Sequence, residues 1–92
     1  MPATVTDNQA LSRFELQLDG GVAFINYRRA ADHITLLHAE VPPQLSGKGV
    51  GTEMARGTLD ALRAEGARVQ IRCSFVAAFA ARHPEYQDIM VD

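Results

Sequence analysis

The sequence of 92 residues predicts an α+β (α/β) domain, a mixed sheet of about four strands packed by two helices, and three observations predict it. From Arg13 to Asp19 apolar and polar residues alternate strictly, the period of a strand with one solvated face. From Val50 to Leu62 apolar residues recur at helical spacing. That helix lies between two strand-like segments, His33–Val41 and Arg68–Cys73, which makes a crossover unit whose strands, the third and fourth predicted, run parallel.

Each element has its own signal. Residues 1–10 are expected to form a flexible tail, leaving residues 11–92 as one domain. The first predicted strand places Phe14, Leu16 and Leu18 on one face and Arg13, Glu15, Gln17 and Asp19 on the other. Asp19-Gly20-Gly21 suits a tight turn, and Val22 to Arg28 follows with apolar groups on both faces, as the more central strand of a hairpin. His33 to Val41 is a third strand, antiparallel to the second, which Pro42 and Pro43 end because neither can donate to a ladder. In the helix Val50, Met54, Ala55, Leu59 and Leu62 form the apolar stripe, opposite Glu53, Arg56, Asp60 and Arg63. Gly66 stands where a left-handed C-terminal residue belongs. In the fourth strand Val69, Ile71 and Cys73 alternate with Arg68, Gln70 and Arg72. Ser74 is a candidate cap for a second helix that runs to His83, and Pro84 stops it. Residues 85–92 carry no decisive period.

Composition narrows the function classes. A formal charge of −2 and a pI near 5.8 give no field to gather nucleic acid or anionic membrane, so neither is expected as a partner. The single cysteine, Cys73, excludes an internal disulfide and fits a reducing cytoplasm, where the protein is expected. The start of the chain has neither a basic cluster nor an apolar run, and no stretch is apolar for long enough to span a bilayer. A domain this small buries about 60% of its unfolded surface, so a large ligand is expected in a surface groove, and a monomer or a weak homodimer is expected. No metal is expected.

The residues that ask for a function are Val41-Pro42-Pro43-Gln44-Leu45-Ser46-Gly47-Lys48-Gly49-Val50-Gly51, three alternate glycines between a strand and a helix. They do not form a P-loop, because Lys48 is followed by Gly49 where a Ser or Thr is required. They do not fit a dinucleotide fingerprint either. Thr52 stands where the last glycine would be, and no acidic residue ends a second strand about 20 residues on. Glycines let the main chain approach a diphosphate, and the helix N-terminus adds unpaired donors and the positive end of its dipole.

The pattern Val-x-Pro-x-x-x-Gly-x-Gly-x-Gly resembles the acyl-CoA-binding loop of the GNAT acetyltransferase superfamily. His38-Ala39-Glu40-Val41-Pro42, Cys73-Ser74-Phe75-Val76 and His83-Pro84-Glu85-Tyr86-x-Asp88 extend the resemblance to its small single-domain GNAT-like members, over roughly residues 10 to 92. The resemblance implies a shortened GNAT core. Its third and fourth strands would splay to admit the pantetheine arm of acetyl-CoA, and its acceptor side would lie open because only Asp19-Gly20-Gly21 separates the first two. It implies transfer of acetyl from acetyl-CoA to an amine, on a small molecule or a protein lysine. It also implies cofactor contacts at Val41, Ser46, Gly47, Lys48, Gly49, Val50, Gly51, Thr52, Phe79 and Arg82, with the Val41 N–H aimed at the acetyl oxygen. Ser46 departs from the pattern, since Arg or Gln is usual there. Serine keeps a backbone donor and loses the reach.

Acyl transfer to an amine needs a proton acceptor, donors for the developing oxyanion and a proton source for the leaving thiolate. His38 and Glu40, two apart on one strand, share a face, and either is a candidate base; both also suit a solvated strand end. Cys73 ends the fourth strand beside an expected helix N-terminus whose positive end favours a thiolate, so it is a candidate acyl carrier or acid. It equally suits a small buried apolar position. Phe79 stands near the position where many superfamily members carry a proton-donating tyrosine. Two function classes follow: an acetyl-CoA-dependent N-acetyltransferase, or a catalytically weak CoA-binding or regulatory module.

Overall fold

The computed structural model describes residues 4–91. Five strands form one sheet in the order β1 (Val5–Asn8), β2 (Arg13–Leu18), β3 (Gly21–Arg29), β4 (Ile34–Glu40) and β5 (Val69–Ile71). Neighbours pair antiparallel except β4 and β5, which are parallel. Helix α1 (Val50–Ala64) connects that parallel pair, and α2 (Ser74–Ala81) follows β5. Short 3-10 turns occupy Gln9–Leu11, Pro43–Leu45 and Pro84–Ile89.

The parallel pair is therefore formed by the two segments expected to form it, in a sheet with one strand more than expected. The addition is β1, inside the span expected as a tail; Met1 to Ala3 of that span lie outside the described residues. Four residues are too few to show a period, and tertiary contacts hold them. Val5 opposes Leu16, Asn8 opposes Arg13, and the Asp7 carboxylate accepts from the Tyr27 hydroxyl at 2.5 Å. Gly57 completes the seat, because a Cβ there would overlap the Val5 side chain. Close approach of β1 to α1 thus requires the glycine in mid-helix.

One sheet face is buried. Phe14 and Leu16 of β2, Ala23, Ile25 and Tyr27 of β3 and Ile34 and Leu36 of β4 pack against Met54, Leu59 and Leu62 of α1. Val76 and Phe79 of α2 join the same cluster with Tyr86 and Ile89 beyond it. Each large side chain so buried contributes about 1.5–3 kcal/mol of transfer free energy, which the α1 stripe could not gain alone. Among the described residues every helix adds to this cluster, so the opposite sheet face, with Arg13, Glu15, Phe24, Asn26, His38 and Glu40, carries no helical cover.

Several boundaries differ from expectation. The last strand is Val69–Ile71, three residues long, and Ser74 is the first residue of α2, whose N-cap position is Cys73 with no side-chain cap bond. The helix stops at Ala81, since the Arg82 and His83 N–H groups already bond in 3-10 fashion to Phe79 and Ala80 carbonyls. Beyond it Met90 bridges Val69, so the free edge of β5 is partly covered.

Candidate functional site

Pairing between β4 and β5 ends early. Leu36 opposes Ile71, the Arg72 N–H reaches the Leu36 carbonyl at 2.8 Å, and Leu37 to Glu40 have no strand partner on that side among the described residues. The other edge of β4 stays paired to β3, through a bulge in which Leu37 is the extra residue between the Tyr27–Leu36 and Asn26–His38 pairs. The Tyr27 N–H points to the β2 side, where it bonds the carbonyl of Ser12 just before that strand, so strand alternation turns Asn26 and Phe24 toward β4. Their partners His38 and Glu40 then face β3 with their main-chain groups, which leaves those of Ala39 on the open edge. The Val41 N–H, next in line, makes no main-chain hydrogen bond among the described residues.

The chain leaves β4 through Pro42 and Pro43 and reaches α1 through the glycines. Gly47 and Gly49 adopt φ of +80° and +76°, and an added Cβ at either would meet no atom within 4 Å. Their backbone needs glycine and their surroundings are open. The first rung of α1 is the Glu53 N–H to the Gly49 carbonyl at 3.1 Å, and no side chain caps the helix. The amides of Val50, Gly51 and Thr52 therefore precede the ladder, at the positive end of the dipole. Gly51 differs: a Cβ there would stand 2.6 Å from Cζ of Phe75. Val41, Leu45, Ser46, Gly47, Val50 and Phe75 are among the residues around a cavity of about 230 Å³ at this loop.

Phe75 lies in the first turn of α2, which is likewise uncapped and whose first rung is the Ala77 N–H to the Cys73 carbonyl. Its contact with Gly51 brings the N-termini of both helices to the place where β4 and β5 part. Bare amides, the positive ends of two helices, open space and the exposed Lys48 thus converge on one place, an arrangement suited to an anionic group such as a phosphate.

The residues singled out from sequence fall into three groups. Val41, Gly47, Lys48, Gly49, Val50, Gly51 and Thr52 are gathered at the loop. Ser46 is there too, but its N–H is taken by the Pro43 carbonyl at 3.2 Å, so the expected free backbone donor is engaged and only the hydroxyl remains. His38 and Glu40 share the uncovered face, Nε2 to Oε2 at 3.3 Å, each side chain more than 60% exposed. Cys73, 8% exposed, belongs to the buried cluster and so lies on the helix side of the sheet. The three catalytic candidates are thus divided between the two faces.

Phe79 cannot meet a ligand as expected. It is 1% exposed, its ring stacked on His83 at 4.0 Å, because the apolar stripe of α2 turns it into the core. Arg82 is exposed at the far end of α2, about 10 Å along the axis from Phe75. Tyr86 is buried, its hydroxyl donating to Asp60 at 2.6 Å; burial, then the Asp60 hydrogen bond, pushes its pKa up to about 12. Phe75 is the contact that sequence reading missed. Its signal was an apolar residue off the α2 stripe, one position before Val76.

A profile of the GCN5-related N-acetyl-transferase family matches residues 13–89, most of the chain. The fold is similar to the solution structure of a GCN5-like putative N-acetyltransferase from Staphylococcus aureus, with a TM-score of 0.70 and 22% identity over 97% of this chain and 88% of that one. No curated protein matches the chain.

Proposed function

The chain belongs to the GCN5-related N-acetyl-transferase family, and from that premise we propose that it transfers an acetyl group from acetyl-CoA to a primary amine presented at the uncovered sheet face. The observation that carries the proposal is the uncapped start of α1, with bare main chain at Gly47 and Gly49, set beside the unpaired edge of β4. Acetyl-CoA supplies an activated thioester carbonyl; the remaining chemistry falls to this chain.

The amides of Val50, Gly51 and Thr52 hold the diphosphate, and Lys48 adds a cation that remains solvated. The Val41 N–H is the donor for the carbonyl oxygen as negative charge develops on it. Glu40 or His38, through water, takes the proton that the amine must lose before or during attack; as the C–N bond of the amide forms, the thioester C–S bond breaks and the CoA thiolate leaves, taking its proton from solvent at the open edge. Both stand in solvent on the side from which an acceptor can approach. Direct transfer is favoured over an acyl-cysteine, because Cys73 is 8% exposed on the opposite face. With no helix over the acceptor side a small amine finds little surface to bury, so an amine carried on a protein or peptide suits the site better.

Calorimetric titration with CoA, followed by acetyl transfer to lysine peptides, tests the proposal. Binding with turnover supports it, and binding without turnover to any amine identifies a CoA-binding module. Absence of binding defeats both readings. Glu40→Gln is expected to lower turnover at least about tenfold with CoA affinity unchanged. Intact mass after rapid quench is expected to show no acetyl adduct on Cys73, and an adduct formed at the rate of turnover would establish the cysteine route.

A further inference from the structure

Core packing does not account for the position of the Phe75 ring. It is 44% exposed, while Val76, Phe79 and Ala80 of the same helix are buried. A lone exposed apolar residue is ordinary on a protein surface. This one is seated, because it rests on Gly51, where a Cβ would stand 2.6 Å from its Cζ, and it borders the glycine-loop cavity together with Val41 and Val50. The third glycine therefore has a different task from the other two. Gly47 and Gly49 leave main chain bare, whereas Gly51 makes room for an aromatic ring.

We propose that Phe75 is the apolar wall of the pantetheine channel, against which the dimethyl-substituted carbon of the pantoyl group lies. The inference rests on reading the loop as a coenzyme A site. The arm between diphosphate and sulfur alternates amides with aliphatic carbon. The open edge of β4 offers main-chain partners to the amides, and the aliphatic carbon gains only from apolar surface. The ring supplies more of that surface than Val41 or Val50, at the junction the arm must pass between the α1 amides and the β4 edge.

Titration of Phe75→Ala with CoA and with 3′-phospho-ADP, which lacks the arm, tests the assignment. CoA is expected to bind about tenfold more weakly, the effect of withdrawing about 50 Å² of apolar contact. The 3′-phospho-ADP affinity is expected to stay within about twofold, and Phe75→Tyr to bind both ligands as the wild type does. In the wild-type complex, intermolecular NOEs are expected between the Phe75 ring protons and the pantoyl methyl groups. Equal loss for both ligands, unchanged CoA affinity, or amide shifts at Gly47 to Thr52 without those NOEs would overturn the assignment and leave the coenzyme site standing. A wild type that binds neither ligand would instead defeat the proposed function.

Discussion

At its N-terminal end α1 begins on a left-handed glycine, without a side-chain cap, beside main chain that no atom crowds. At its C-terminal end the same helix is held from three sides. Glu65 accepts from Arg29 at 2.8 Å, Arg63 bonds Asp88 at 2.6 Å and the Glu85 carbonyl, and Asp60 accepts from buried Tyr86. Nearer the middle, Arg56 donates to His83 Nε2 at 3.3 Å while His83 Nδ1–H donates to the Phe79 carbonyl. One end has its polar groups satisfied within the chain, and the other leaves them free for a ligand. With Ser or Asp at the cap in place of Gly49 the helix start would gain only about a few tenths of a kcal/mol. A glycine there keeps the amides available, at the expense of that stability.

If this contrast is right, mutations at the closed end should act on stability and those at the open end on binding. Leu62→Ala, at a fully buried position, is expected to cost about 2–5 kcal/mol in urea unfolding. Gly49→Val forces a β-branched residue to φ +76° and is expected to cost about 1–2 kcal/mol, while CoA affinity falls by more than the unfolding data account for. Equal CoA affinity in Gly49→Val and wild type would break the comparison.

Tyr86→Phe is expected to cost about 1 kcal/mol and leave CoA affinity unaltered. The same contact gives a pH dependence. The Tyr86 hydroxyl titrates higher in the folded protein, about 12 against an ordinary 10, so its contribution is fully present below pH 10. It is lost as pH rises from 10 through 12, and the difference in stability between wild type and Tyr86→Phe should shrink over that window. The smallest effect is expected from Glu65→Gln. Its partner Arg29 and Glu65 itself are about 40% exposed, and such a pair is worth about 0–1 kcal/mol, less in high salt.

The open end was largely legible in the sequence and the closed end was not. Alternate glycines after two prolines announce a bare loop, and the stripe from Val50 to Leu62 announces the helix behind it, because both signals are local. The division of the catalytic candidates was half legible: period two placed His38 and Glu40 together, while Cys73 required knowing which sheet face α1 covers. Phe79 matches a family position in register, but the α2 stripe turns it inward, where it is 1% exposed. Phe75 was missed because its meaning lies in Gly51, 24 residues away. The β1 strand was hidden for the same reason, since Val5 has its seat at Gly57. The clamps around Asp60, Arg63 and Glu65 join residues more than 20 positions apart, which no short window contains.

Backbone amides followed by NMR during titration with CoA would show which end of α1 receives the coenzyme. The largest shifts are expected at Gly47 to Thr52, next at Ala39, Val41 and Phe75, and almost none at Asp60 to Gly66. No shift at the loop in millimolar CoA, or shifts concentrated at the clamped end of α1, would contradict the coenzyme site proposed at the loop.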